Sequence, residues 1–390
     1  MTSPESRQRK KIIPYSRPSV SSAEIQEVRK VLRSGWLTTG PAVERFERAF
    51  AEKVGARFAV AFSSGTSALV GACAAAGVGS ADRFITTTMS FVASANCGRY
   101  FGAAADLVDV EEPTLNVSAA AIEQAMRQNT RAVVAVHYQG HPVDLAAISE
   151  VCRRRGAVLI EDAAHALGAR YRDSVIGDCR YSDLCAFSFH PTKLITTGEG
   201  GMVTTNREDF DERLRRFRNH GMVRRPELEP WEYDCPELSF NWRLSDVHSA
   251  MGLAQLARSD GLLARRREIA AYYNERFAAC DALITPVEEP ECLHAYHIYV
   301  LRFRYDRLTI NRRGMFERLK AASIVPQVHY RPIHRHSQYQ ALGYEASAFG
   351  VAEAAYGQMF SMPMYPDLTQ REARYVADTV CRLVEENRRD

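Results

Sequence analysis

FAVAFSSGTSAL, residues 58–69, runs from an apolar strand through a serine-rich turn at Gly65 into an alanine-rich helix. A short apolar run, a glycine turn and a helical pattern make up the unit that a parallel α/β sheet repeats. Upstream, Ser21 and Glu24 form a capping box ahead of a helical stripe of Ile25, Val28, Val31 and Leu32. A second helix carries Val43, Phe46, Phe50 and Val54 on one face and stops at Gly55. Downstream, strands are predicted at 83–87, 105–110, 131–136 and 157–161, with helices between them, as over 118–127 and 144–155. This alternation, from residue 21 to about 205, predicts an α/β fold with a mostly parallel sheet.

Beyond residue 205 the pattern changes. A helix near 207–219, a long helical stretch over 244–279 and strands at 296–303 and 324–330 predict a smaller α+β domain. The expected layout is an N-terminal tail (1–14), a large domain (15–260) and a small C-terminal domain (261–390). The segment 223–240, rich in Pro, Glu and aromatics, is expected to extend over the surface or toward a partner subunit.

At 390 residues the chain exceeds what one compact core usually serves. Its hydrophobic content of 46%, charged content of 25% and formal net charge of +3 are those of an ordinary folded protein, and no nucleic-acid or membrane partner is expected. No apolar run approaches the roughly 20 residues of a spanning helix, and no signal-peptide core follows the basic N-terminus. Nine dispersed cysteines without a CxxC pair read as reduced thiols of a cytoplasmic protein.

Three places carry chemistry. Gly65 and Thr66 open a helix whose free amides and positive dipole end suit a phosphate, although the same residues suit a helix simply capped after a turn. Asp162, in EDAAH at 161–165, stands at the carboxyl end of a predicted parallel strand, where open α/β sheets bind ligands; a strand-end Asp capping the next turn is the competing reading. Lys193, after the strand-like AFSF and before ITTGEGG, looks like a placed amine, able to lose its proton where burial disfavours its charge. His137 and His141 of HYQGH stand at metal-ligand spacing for a helix, but Gly140 and Pro142 disfavour a helix there, and the pairs His294/His297 and His334/His336 lack a cysteine or carboxylate at ligand spacing, so no metal site is expected.

These stretches, with SGWLTTGP (34–41), SSGTSAL (63–69), TMSFVASAN (88–96), EDAAHALGA (161–169), SFHPTKLITTGEGG (188–201), RNHGM (218–222) and FNWRLSD (240–246), resemble the DegT/DnrJ/StrS sugar aminotransferases within fold type I of the pyridoxal-phosphate enzymes. The resemblance runs from about Tyr15 to the C-terminal helix. It implies a large domain with a seven-stranded, mostly parallel sheet, and pyridoxal 5′-phosphate as cofactor, alternating with its pyridoxamine form. Carried over residue by residue, it implies that Lys193 holds the cofactor covalently and shuttles the proton, and that Asp162 binds the pyridine nitrogen with His165 beside it. Phe91 would stack on the ring, and Gly65, Thr66 and Ser188 would hold the phosphate. Asn241 would reach that phosphate from the neighbouring subunit, which implies a homodimer.

Within that family, SFHPTKLITTGEGG, QVHYRPIHRHSQYQ (327–340) and PYSRP (14–18) resemble the transaminases of the pseudaminic-acid pathway. That implies a UDP-linked 4-keto-6-deoxy-N-acetylhexosamine as acceptor, aminated at C4 with L-glutamate as donor. Tyr15, the loop Gly35-Trp36-Leu37-Thr38 and the segment Gln327-Val328-His329-Tyr330 would contact the nucleotide sugar. His329, Arg331 and Arg335 could meet its pyrophosphate, with an ordinary surface charge as the alternative for Arg335. The rival expectations are a GDP- or dTDP-linked 4-keto-6-deoxyhexose as acceptor, and a regulatory protein that binds the cofactor without turnover. Dehydratases on the same fold carry histidine in place of the lysine, and this chain has Lys193.

Overall fold

The structure, a computed structural model, describes residues 12–227 and 229–389. Of the predicted tail, residues 1–11 lie outside the described residues, while Ile13 and Pro14 pair in parallel with Ile324 and Val325.

Seven strands form the main sheet: β1 (Phe58–Phe62), β2 (Arg83–Thr87), β3 (Ala104–Val108), β4 (Thr130–Val136), β5 (Val158–Asp162), β6 (Leu184–Ser188) and β7 (Gly201–Thr205). Their order is β1-β7-β6-β5-β4-β2-β3, and β7 alone runs antiparallel to its neighbours. Both faces are covered, which is why these strands read as continuous apolar runs. Period-two alternation still sorts the side chains. Val60, Phe62, Phe84, Val134 and Ile160 enter one core with helix α3 (Gly65–Ala75), whereas Ala59, Ala61, Ile85, Val133 and Leu159 enter the other with Phe46 and Phe50 of α2 (Pro41–Val54). A third core gathers Ile13, Tyr273, Phe277, Leu301, Phe303, Phe360, Val376 and Leu383 around the strands Tyr299–Phe303 and Met359–Met362.

The predicted strand at 157–161 is observed one residue later, which makes Asp162 the last residue of β5. Three differences have physical causes. β7 was not foreseen, because GMVTT opens on the last of three glycines that read as loop; tertiary pairing makes it a strand, with Gly201 opposite both Phe62 and Ser188. The helical stretch at 244–279, which follows α4 (Glu208–Phe217), breaks at Arg258 into α5 (Asp246–Ala257) and α6 (Ser259–Phe277). The predicted strand at 324–330 ends at Val325; Gln327 keeps a lone bridge to Ser361, and His329 and Tyr330 turn off to line a cavity. The capping box at Ser21 and Glu24 is present in α1 (Ser22–Ser34), but of its apolar stripe Ile25 and Leu32 face solvent.

Candidate active site

The carboxyl ends of four parallel strands open on one cavity of about 320 Å³. Ser64, Gly65 and Thr66 follow β1, Ser90 and Phe91 follow β2, Asp162 ends β5 and Ser188 ends β6. This edge of the sheet is where the αβ unit places exposed backbone amides and helix N-termini.

At the first strand end, Ser64 accepts a hydrogen bond from the Ser67 amide at 3.0 Å, and the Ser67 hydroxyl accepts one from the Ser64 amide at 2.9 Å. That reciprocal cap leaves the Gly65 and Thr66 amides at the open end of the eleven-residue helix α3. Glycine is required here by packing, since a Cβ on Gly65 would come within 2.6 Å of the Ser188 Cβ. The turn and the end of β6 therefore form one cradle.

Asp162 is buried, and its carboxylate is aimed by two donors, the Ser94 hydroxyl at 2.6 Å and the Ala164 amide at 3.1 Å. Its neighbour Glu161 points to the opposite face of the sheet, where it pairs with His137 at 2.7 Å. Lys193 stands on a loop folded back by the bonds from Phe189 N to Gly200 O and from Thr197 N to Phe189 O. Its side chain is half-buried by surface, yet its amine is enclosed at the cavity wall and makes no hydrogen bond or ion pair among the described residues. Burial pushes that amine down to about 8, against the opposing pull of Asp162 and with help from the charge of Arg266.

The opposite wall comes from distant segments. Tyr15, His329 and Tyr330 line it, with the Tyr15 and His329 rings 5.0 Å apart. His165 Nε2 and the Tyr330 hydroxyl are hydrogen-bonded at 2.9 Å, while His165 Nδ1 is buried without a partner. Burial, then the charge of Lys193, holds His165 well below the usual imidazole range and His329 at about 4, so both rings are neutral at pH 7. Phe91, 55% exposed in this state, faces the cavity 5.8 Å from the Tyr330 ring.

These groups fit pyridoxal phosphate. The cradle at Gly65, Thr66 and Ser188 suits its phosphate, Asp162 its ring nitrogen, Phe91 a ring face, Lys193 its aldehyde carbon, and the unpartnered His165 nitrogen an adjacent polar atom.

Other residues singled out in the sequence are not brought to this cavity. Gly35, Trp36, Leu37 and Thr38 lie at the start of α5, where Asp246 N donates to Leu37 O and the Asp246 carboxylate accepts from the Gly40 and Ala42 amides. Trp36 is 58% exposed there. Asn241 is exposed because Phe240 and Trp242 stack on each other with centroids 4.0 Å apart, which turns the residue between them outward. Gln327 and Val328 precede the lining residues without joining them. Arg335 pairs with Glu353 through its Nε at 2.6 Å and a second bond, as the surface-charge alternative has it, and among the described residues the Arg331 guanidinium donates only to the Arg335 carbonyl.

Sequence reading missed Ser94, His190, Thr192 and Glu199 as lining residues, and His297, whose buried ring lies 4.3 Å from that of His165. Ser94 had a usable signal, since it sits three residues after Phe91 and so returns to the same side of one helical turn. His297 had none, because 132 residues separate it from His165.

Comparison with known proteins agrees with this geometry. The sequence profile of the DegT/DnrJ/EryC1/StrS aminotransferase family matches residues 18–381. The chain is 38% identical over 383 residues to the spore coat polysaccharide biosynthesis protein SpsC of Bacillus subtilis, covering 96% of this chain and 98% of the relative. Among solved structures, Helicobacter pylori PseC, an aminotransferase involved in the biosynthesis of pseudoaminic acid, superposes with a TM-score of 0.90 at 30% identity, covering 96% of this chain and 100% of that one. The aminotransferase TlmJ of Streptoalloteichus hindustanus superposes with a TM-score of 0.89 at 31% identity, covering 96% and 99% of the two chains. The chain belongs to the DegT/DnrJ/EryC1/StrS family of pyridoxal-phosphate-dependent aminotransferases.

Proposed function

We propose that this protein transfers the amino group of L-glutamate to C4 of a nucleotide-linked 4-keto-6-deoxy sugar, with UDP-2-acetamido-2,6-dideoxy-β-L-arabino-hexos-4-ulose as the acceptor. The observation that carries the reaction class is one cavity holding an unpaired, partly deprotonated Lys193 together with Asp162. Likeness to PseC and SpsC supports a sugar as the acceptor, and the resemblance at 188–201 and 327–340 supports the pseudaminic type.

When bound, pyridoxal phosphate supplies the electron sink for the carbanion that forms as a proton leaves the amino-bearing carbon. Asp162, fixed by Ser94, keeps the ring nitrogen protonated and so keeps the sink effective. Gly65, Thr66 and Ser188 anchor the phosphate, and Phe91 covers one ring face. Lys193 takes the α-proton of glutamate and delivers it to the cofactor carbon. With the keto sugar it moves a proton in the opposite sense, to C4. Neutral His165, bonded to Tyr330, orients a polar group without adding charge, and Tyr15, His329 and Tyr330 receive the sugar.

In this reading Asn241, Gly35, Trp36, Leu37 and Thr38 serve the cavity of a second copy in a homodimer. Their absence from the lining of their own cavity supports it, as do the solvent-facing Ile25, Leu32, Trp36, Leu37 and Leu238. Gln327 and Val328 complete the acceptor site once a sugar is bound. The protein works in the cytoplasm in this account; among the described residues no helix is long and apolar enough to cross a membrane.

A panel of UDP-, GDP- and dTDP-linked 4-keto sugars with glutamate tests the proposal. The UDP-linked N-acetyl sugar is expected to gain the mass of an amine for oxygen exchange, and nuclear magnetic resonance reads the orientation of the new C4–N bond. Preference for a GDP- or dTDP-linked sugar would move the assignment to that acceptor. No change in cofactor absorbance on adding glutamate would sink the enzyme reading in favour of a regulatory binder.

A further inference from the structure

Two loops form facing walls of the cavity, and behind it they meet at one buried histidine. Thr88 follows β2 directly and is fully buried, and three residues later Phe91 lines the cavity. On the opposite side Tyr330 lines the cavity, and three residues later Ile333 N donates to Thr88 O at 2.8 Å. The next side chain, His334, is 1% exposed. Its Nδ1 lies 2.6 Å from the Thr88 hydroxyl, and its Nε2 lies 2.7 Å from the Glu353 carboxylate. The Phe349 ring stacks on it, with centroids 4.3 Å apart.

The hydrogen-bond network assigns the tautomer. Glu353 also accepts from Arg335 Nε at 2.6 Å, so it is a carboxylate and can only accept. His334 Nε2 therefore donates to Glu353, and in the neutral ring Nδ1 accepts from the Thr88 hydroxyl. Glu353 is a firm anchor. Its helix, Gly350–Gln358, starts with the Val351 and Ala352 amides donating to the Asp109 carboxylate at 2.9 and 3.0 Å.

We propose that His334 is a positioning residue for the sugar acceptor: by joining Thr88 to Glu353 it holds the Tyr330 wall at a set distance from the Phe91 wall. This rests on reading Tyr15, His329 and Tyr330 as the acceptor's contacts.

The two walls are not equally secured. The Phe91 side is held without His334. Thr88 N donates to Val108 O at 2.9 Å, the Ser90 and Ser94 hydroxyls are bonded at 2.7 Å, and Ser94 donates to Asp162. The Tyr330 side belongs to a segment whose only strand-like pairing is the bridge from Gln327 to Ser361. Past that bridge it is tied by side chains: Ser361 to His329 Nδ1 at 2.8 Å, Tyr138 to His329 O, Tyr330 to His165, and Thr88 to His334. Loss of the last bond loosens the acceptor wall and leaves Asp162 and the phosphate cradle in place.

The test uses the full-length protein with pyridoxal phosphate bound. Thr88→Val removes the hydroxyl and keeps the shape of the side chain. Amide hydrogen exchange, read by mass spectrometry, should speed up roughly tenfold in 327–336 and change less than about twofold in 88–96, because a buried acceptor is left unpaired on one side only. KM for the keto sugar that the wild type uses should rise roughly tenfold, while the glutamate half-reaction, followed by cofactor absorbance, stays within about twofold. Thr88→Ser, which keeps the hydroxyl, should restore both readings. His334→Gln can still donate to Glu353 but offers no acceptor to Thr88; it carries the same expectation as Thr88→Val and replaces it if that variant does not fold. Exchange in 327–336 unmoved by these substitutions overturns the clamp. Faster exchange with both half-reactions slowed alike overturns the positioning role in favour of general stability. A wild type that reacts with glutamate but aminates no keto sugar overturns the acceptor reading, and the exchange comparison then judges the clamp by itself.

Discussion

The cavity at the sheet edge and the exposed edge around Trp36 and Asn241 carry sequence motifs of equal distinctness, yet a single chain assembles only the first. At the cavity, residues from 15 to 330 converge: the turn after β1, the carboxylate ending β5, the lysine loop after β6, and the His329-Tyr330 segment. At the exposed edge, Trp36 and Leu37 lie bare, and the Phe240–Trp242 stack points Asn241 into solvent. The difference teaches that motif density does not say where a site is completed. Apart from Asn241, the cofactor-type residues close on one cavity of their own chain, whereas Asn241 and part of the acceptor-type set do not reach it.

Experiments can break that division, beginning with the largest effect. Lys193→Ala is expected to lower turnover by at least about 10³-fold, measured as 2-oxoglutarate formed from glutamate. Full activity in that variant would refute the cavity as the reaction site. Asp162→Asn should cost about two orders of magnitude in rate. Ser94→Ala, which removes only the 2.6 Å bond aiming that carboxylate, should cost about tenfold, and equal losses in the two variants would mean that Ser94 does more than orient.

The exposed edge can be tested by mixing chains. Asn241→Ala should weaken pyridoxal phosphate binding by roughly tenfold or more, the worth of one hydrogen bond to a charged group. At limiting cofactor, adding inactive Lys193→Ala chains should then restore activity, because a hybrid pair unites an intact Lys193 with an intact Asn241. Absence of rescue would place Asn241 outside the neighbour's site. The smallest effect is expected at Arg335, whose guanidinium is occupied by Glu353. Arg335→Ala should destabilise the fold by about 1 kcal/mol in denaturant unfolding while leaving KM for the acceptor within about twofold. A tenfold rise in KM would return Arg335 to the acceptor site.

Much of this was legible before any coordinates. Strands β1 and β2 fall where the apolar runs put them, the helices stop at Gly55 and Gly156, and the capping box at Ser21 and Glu24 forms. These features depend on local pattern and caps, which act over a few residues. β7 was illegible, because a five-residue strand after glycines gains its structure only from β1 and β6 on either side. The break at Arg258 was also illegible, since nothing in an uninterrupted helical period marks a change of direction.

By itself the sequence determined the alternating βα order, the identity of the chemical groups and the family, because strand and helix periods and short motifs are local properties of the chain. Only the tertiary structure decided which face of the sheet belongs to the cavity, so that Asp162 meets Ser94 there while Glu161 meets His137 behind it, and that Arg335 is already paired. It also brought His297 to His165 and set Arg266 behind them. Those outcomes depend on which distant segments share a low-dielectric interior, where a few ångströms decide whether a charge is neutralised, opposed or left to act on its neighbours.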